Sequence, residues 1–275
     1  MTAVDIVVRD IDGQTEMRAV EELQKEVWGL PDLDVVPLTQ LVAAKAAGGL
    51  LLGAFDNEKL VGFVYGFVGN ENGRMTHHSH MLAVKPDYRN FNVGYKLKLA
   101  QRERVLTQGI TEMTWTFDPL QSRNAYFNFN RLGVVSDRYL IDFYGTDAES
   151  FLHRNGTDRL WVTWLLTSRC VLERLESDQD DLEPGQIRAL VELGEKNEPF
   201  LNDLDLKNAV DQASIEIPAD IINIEEQNPN IAADWRNATR TAFSSAFSAG
   251  YVAAEFVRGS KSGRYILSRK TVDVS

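Results

Sequence analysis

The run from His77 to Gly109, HHSHMLAVKPDYRNFNVGYKLKLAQRERVLTQG, constrains this chain more than any other stretch. His78 to Val84 reads as a strand and Asn92 to Gln108 as a helix, joined by a short turn holding Pro86, Arg89, Asn92 and Gly94. A strand that enters a helix through such a turn leaves the first N–H groups of the helix unpaired and aimed at one spot. Together with the positive end of the helix dipole they form a site for a phosphate or pyrophosphate. Val93, Leu97 and Ala100 give the helix an apolar stripe, and Gly109 is its natural C-terminal stop.

The formal net charge of −11 over 275 residues argues against nucleic acid as a partner, because phosphate backbones need a basic surface. An anionic ligand at the turn therefore needs local compensation. Lys85, Arg89, Lys96, Lys98, Arg102 and Arg104 are the candidates for it, against only Asp87 and Glu103. The single cysteine, Cys170, excludes an internal disulfide framework and fits a reducing compartment. No apolar run is long enough to span a bilayer, and MTAVDIVVRD lacks a basic-then-apolar export signal. The expectation is a cytoplasmic protein without membrane contact.

Residues 4 to 9 read as a first strand. Gln14 to Trp28 reads as a helix with Met17, Val20 (or Ala19), Leu23 and Val27 on one face. A second helix spans about Pro37 to Ala47. LLGAFD and KLVGFVYGFVG then form a hairpin, with Gly62 and Gly66 on one face where something bulky can approach. After the histidine strand and its helix come strand-like Thr111 to Phe117, helical Ser122 to Leu132 closed by Gly133, and two strands within 134–145 and 158–168. Alternation of this kind predicts an α/β (α+β mixed) fold, a mixed central sheet with helices on both faces. Beyond Cys170 the acidic run SDQDDLE reads as a linker, Glu183 to Glu195 as a helix and Ser214 to Pro218 as a strand. A long helix capped by Asn228-Pro229 follows, with Ile231, Trp235, Ala238, Ala242 and Ala246 as its buried stripe. Tyr251–Val257 and Arg264–Ser268 read as a closing hairpin. The organisation expected is a first domain over 1–170 and an α/β extension over 171–275. The extension carries no motif for chemistry and would serve packing or oligomerisation, as in a homodimer.

The element order, with LAVKPDYRNFNVG and the later N-A-x-x-x-F-x-x-x-G, resembles the GNAT superfamily of acyl-CoA-dependent N-acyltransferases over roughly residues 4 to 168. The family signature, Arg/Gln-x-x-Gly-x-Gly/Ala, is matched here by Arg89, Asn92 and Gly94. The resemblance implies that backbone from Asn90 through Phe91, Asn92, Val93 and Gly94 to Tyr95 holds the pyrophosphate of coenzyme A. It also implies that Leu82, Ala83 and Val84 pair with the pantetheine arm as an added strand and polarise the thioester carbonyl. Two positions depart from the pattern. Asn92 stands for the first signature glycine, and asparagine tolerates left-handed backbone better than other side chains do. Phe129 stands where many members carry a tyrosine that protonates the thiolate, which leaves Tyr126, Tyr139, Tyr144 or water for that task. The pantetheine-contacting asparagine falls at Ser122, with Asn124 beside it.

Attack on a thioester needs a neutral amine and a base near the strand. Strict alternation places His78, His80, Leu82 and Val84 on one face, and imidazole titrates near neutrality. His78 and His80 are therefore the candidate catalytic residues; as plain strand-end polar groups they would have no such role. A His-x-His pair can also bind a metal, but no second cluster accompanies it and His153 is isolated, so no metal is expected. Trp28, Asp118 and Tyr144 are the candidate acceptor-pocket residues, and each has a bland alternative as core, cap or surface. The function implied is transfer of an acyl group from acetyl-CoA, or from succinyl-CoA, to the amine of a small molecule such as an amino acid. A succinyl group and an amino-acid acceptor would each need a cationic partner, for which Arg123, Arg131 and Arg138 are available. The competing reading is a module of the same fold that binds acyl-CoA without turnover.

Overall fold

The computed structural model describes residues 5–146, 155–176, 187–203, 206 and 211–269. These form two compact units, one of the described residues up to Trp115 and the other of those from Thr116 onward.

In the first unit, β1 (Ile6–Asp10), β2 (Leu50–Asp56), β3 (Lys59–Glu71) and β4 (Arg74–Val84) form an antiparallel meander. β5 (Glu112–Phe117), which leaves this unit at Trp115, pairs parallel with β4. Helices cover both faces, as the alternation predicts. α1 (Gly13–Trp28) and α2 (Leu38–Ala46) bury Met17, Val20, Leu23 and Leu41 against Leu51, Phe63, Tyr65 and Ala83. On the other face α3 (Val93–Thr107) buries Val93 and Leu97 against Leu52, Val61 and Val64. Burial of such side chains contributes about 1.5–3 kcal/mol each. Gly62 and Gly66 do share a face, and both β4 and α3 approach them, β4 the more closely. A Cβ on Gly62 would meet Leu97, and one on Gly66 would meet Gln101.

In the second unit, α4 (Ser122–Tyr126) continues as a π-helical turn, Phe127–Leu132, which ends at left-handed Gly133 with φ 71°. Then come β6 (Val135–Leu140), β7 (Arg159–Leu165) and α5 (Arg169–Glu176). They are followed by β8 (Ala189–Leu193), β9 (Pro199–Leu201), β10 (Gln212–Pro218), α6 (Ile221–Gln227), α7 (Pro229–Ser248), β11 (Val252–Arg258) and β12 (Ser262–Ser268). The strand order is β7-β6-β11-β12-β10-β8-β9. The cap on α7 is the one its sequence announces: the Asn228 side chain accepts from the N–H groups of Asn230 and Ile231, with Pro229 at the first turn.

One expectation is overturned. Of the helix read over Glu183–Glu195, the described part holds a strand, Ala189–Leu193, paired parallel with β10 and antiparallel with β9. The apolar run ALVEL is too short for periodicity to separate helix from strand, and sheet partners far along the chain decide it. The acidic run SDQDDLE, apart from the end of the chain's α5 before it, and His153 lie outside the described residues. α5, α6 and β9 carry weak local signals and were not expected.

Candidate active site

The strand, turn and helix expected at residues 78–108 are present, and their junction has a defined geometry. Pro86–Phe91 form a 3-10 turn, Asn92 takes the left-handed conformation with φ 56° and ψ 23°, and α3 starts at Val93. Asparagine thus fills the position that the glycine signature would occupy, at the small cost that its side chain allows. The Lys96 N–H bonds the Asn92 carbonyl as the first helical hydrogen bond, so the N–H groups of Val93, Gly94 and Tyr95 precede it. Arg89 Nε donates to the Val84 carbonyl at 3.4 Å and ties the turn to the end of β4. Local cationic compensation is thinner than the sequence suggests. Lys85 pairs with Glu26, Arg104 with Asp10, and Lys98 is buried on the inner face of α3.

β4 carries a correction to the face assignment. Its register with β3 shifts between Tyr65 and Gly66: Tyr65 opposes Met81 and Gly66 opposes Ser79, so His80 is the extra residue of a bulge. Alternation therefore inverts across His80. His78 and His80 share a face with Tyr65 and Phe67, whose rings lie 5.5 to 6.1 Å from the imidazoles. Leu82 and Val84 instead pack towards α3, with Val93 and Leu97, while Ala83 joins the α1–α2 side. Among the described residues, β4 pairs with β5 only at His77–Met113 and His78–Thr114. Past His78 the two strands no longer pair, which leaves the Leu82–Val84 edge of β4 open on that side.

His78 lies with Nδ1 3.1 Å from Thr114 Oγ1 and its ring centroid 6.3 Å from that of His80. Burial pushes His78 down to about 4, with His80 and Lys98 adding to the shift and Glu71 opposing it. Burial also lowers His80, whose outer side is exposed but whose flanks lie against Tyr65 and Phe67. The imidazoles are thus neutral at pH 7 and weaker bases than their unperturbed chemistry suggests. On the α3 side a polar chain fills the gap that glycine leaves. Lys98 Nζ donates to Ser79 Oγ at 2.8 Å, Ser79 Oγ donates to Gln101 Oε1 at 2.9 Å, and Gln101 Nε2 lies 3.2 Å from His77 Nε2. Lys98 also sits 3.6 Å from the centroid of Trp115, and burial drives its pKa well down.

His77 is fully buried, its Nδ1 has no partner among the described residues, and burial followed by Lys98 and His78 pushes it to about 4. In the unfolded chain a histidine titrates near 6.5. Because the folded value is the lower one, the contribution of neutral His77 to stability is present above pH 6.5 and lost as pH falls towards 4. It amounts to about 3 kcal/mol. Denaturant unfolding at pH 7 and pH 5 is expected to show this slope, and His77→Gln is expected to reduce it, the remainder belonging to His78.

The remaining candidates fall in different settings. Trp28 ends α1 and packs edge-on against Phe63 at 6.0 Å, at the margin of the α1–α2 core. In the second unit Asn124 is exposed on α4. Asp118, expected at the acceptor pocket, is instead committed to Arg236 through two hydrogen bonds of 2.8 and 2.9 Å and also accepts from the Leu120 N–H. Tyr144 is 43% exposed and lies over the Arg159 guanidinium, 5.2 Å from it. Of the substitute proton donors, Tyr139 donates to Asp158 and is raised by burial, so its proton is committed. Phe129 is fully buried, edge-on to Phe117 and Tyr265, and has no proton to give. Arg138 stacks over Trp161 and Arg123 is exposed. Among the described residues no group of three or more His, Cys, Asp or Glu is placed to hold a metal ion. No helix among them is long and apolar enough to cross a membrane.

Residues 16–133 match the sequence model of the Acetyltransferase (GNAT) family. The chain carries a GNAT acetyltransferase domain over those residues, the class of acyl-CoA-dependent N-acetyltransferases, with a further C-terminal region beyond it. No curated protein matches significantly. Similar solved structures include an aminoglycoside 6'-acetyltransferase type Ii at 18% identity, with 60% of this chain and 99% of that one aligned and a TM-score of 0.47. The ribosomal-protein-S18-alanine N-acetyltransferase of Escherichia coli aligns at 13% identity over 60% of this chain and 96% of that one, TM-score 0.47. A GNAT family acetyltransferase of Elizabethkingia anophelis with acetyl-CoA bound aligns at 13% identity over 58% and 97%, TM-score 0.45. At these levels no residue of theirs is carried over to this chain.

Proposed function

We propose that this protein transfers an acetyl group from acetyl-CoA to the amine of a small molecule such as an amino acid, by direct attack and without a covalent enzyme intermediate. Succinyl-CoA is the alternative donor. The observation that carries this reading is the β4 edge, unpaired with β5 past His78 and followed by the N-terminus of α3. An extended pantetheine arm has amides that such an edge can pair, and a pyrophosphate finds donors at the helix start. The N–H groups of Leu82 to Val84 would then hold the oxyanion, and Asn90 to Tyr95 the pyrophosphate. Collapse of the adduct expels the thiolate of coenzyme A, with its proton supplied by water.

His78 and His80 would accept the amine proton. An imidazole near 4 takes that proton poorly from a free ammonium. It takes it readily once the C–N bond has formed and the adduct nitrogen has become acidic. This has a consequence for pH dependence. Because the imidazole stays neutral down to about pH 4, its protonation is expected to leave kcat untouched between pH 7 and 5. An acid limb centred near 6.5 in kcat would show that His78 titrates as an ordinary histidine.

Release of free coenzyme A thiol from acetyl-CoA and succinyl-CoA, measured across a panel of amines, tests the whole reading. Gly94→Pro removes one N–H from the first turn, where proline is tolerated. It is expected to weaken acetyl-CoA binding at least tenfold in calorimetry. His78→Ala with His80→Ala is expected to abolish turnover while acetyl-CoA still binds, and retained turnover would remove both histidines from the mechanism.

A further inference from the structure

Three arginines gather in the second compact unit, and two of them are fully paired. Arg236 makes its bidentate pair with Asp118, and its Nε donates to the Asn155 carbonyl at 2.7 Å. Arg240 donates to both oxygens of Asp158 at 2.8 Å and to Asp142 at 3.0 Å. Arg159 is the exception. It is only 6% exposed, yet its one side-chain hydrogen bond among the described residues runs from NH1 to the backbone carbonyl of Asp158, at 2.8 Å. No described carboxylate lies within ion-pair distance of it. The nearest acids are engaged elsewhere, Asp118 with Arg236 and Asp158 with Arg240 and Tyr139. Burial lowers the Arg159 pKa, and the fields of Asp118 and Asp158 only partly offset that.

A guanidinium presents five N–H donors in a planar fork, and most of those of Arg159 bond no described residue. The natural completion is an anion with two coplanar oxygens. A singly charged carboxylate fits better than a phosphate dianion, because the nearby charges of Asp118 and Asp158 repel a second negative charge. The exposed ring of Tyr144 over the guanidinium adds an apolar wall to the same spot.

We propose that Arg159 recognises the carboxylate of a small-molecule ligand held by the second compact unit, such as an amino acid. Arg159 is distinct from Arg123, Arg131 and Arg138, the cations that the sequence offered for such a role.

The test is thermal shift of the full chain with the common L-amino acids and with their carboxamides, alongside coenzyme A alone. At least one acid is expected to stabilise the protein, with its amide binding at least tenfold more weakly. Arg159→Gln is expected to erase that preference while the response to coenzyme A stays at the wild-type level, which also certifies the fold. Should Arg159→Gln not fold, Arg159→Lys keeps the charge without the fork and is expected to bind the acid about tenfold more weakly. An acid preference that survives either substitution, or a wild type that prefers no acid over its amide, overturns the proposal. A wild type that answers acids but not coenzyme A supports the carboxylate site and sinks the acyltransferase reading instead.

Discussion

Asp118→Asn is expected to destabilise the second compact unit by about 3–5 kcal/mol, the cost of stranding a buried charge. Arg236 has a side chain only 5% exposed, and its two bonds to Asp118 are what make its burial tolerable. Removing the charge of Asp118 leaves the guanidinium in a low-dielectric site facing only neutral close acceptors, the Asn155 carbonyl and the amide oxygen introduced by the substitution. Arg236→Met should be nearly as damaging, because it strands the carboxylate instead. The double variant Asp118→Leu with Arg236→Met is expected to be more stable than either single change, since two apolar groups replace a matched pair at little cost. Urea unfolding of the wild type, Asp118→Leu, Arg236→Met and the double variant gives the cycle. Additive losses in the double variant would show that the pair is not coupled in this way.

Gly66→Ala is expected to cost about 3 kcal/mol, at the upper end of what one added carbon does in a packed interior. Its Cβ would stand 2.4 Å from His77 Nε2, 2.7 Å from the His78 carbonyl oxygen and 2.9 Å from Gln101 Nε2. The first and last can shift only by breaking the polar chain to Ser79 and Lys98, and the second is backbone beside the bulge. Gly69→Ala is the control, since its Cβ would meet only Thr76, the closest atom at 3.1 Å. A midpoint for Gly66→Ala within experimental error of that control would show that the gap opposite α3 is looser than described. The substitution also displaces His78, so turnover is expected to fall with stability.

Most of the first unit was legible in the sequence because its signals are local. Asn92 reads as a left-handed residue from its place in the turn, and it has φ 56°. Gly62 and Gly66 mark a close approach, and β4 and α3 make it. The bulge at His80 was not legible. HHSHMLAV contains no residue that marks an inserted position, and strict alternation placed Leu82 and Val84 beside the histidines when they pack on the opposite face. A bulge arises from pairing with another strand, and only the register with β3 reveals it. The same limit explains β8, read as a helix and found as a strand between two partners.

The amino-acid order by itself determined where the chain turns, caps and alternates. It therefore set the strand-to-helix junction at Asn92 and the Asn228-Pro229 cap, since these depend on residues within a few positions of one another. What only the tertiary structure decided were the partners of charged and polar groups: that Asp118 is spent on Arg236, that Lys98 is buried against Trp115, and that most Arg159 donors bond none of the described residues. Each of those facts joins residues dozens of positions apart. The energy of a buried charge depends on what surrounds it in space, which no local reading of the chain contains.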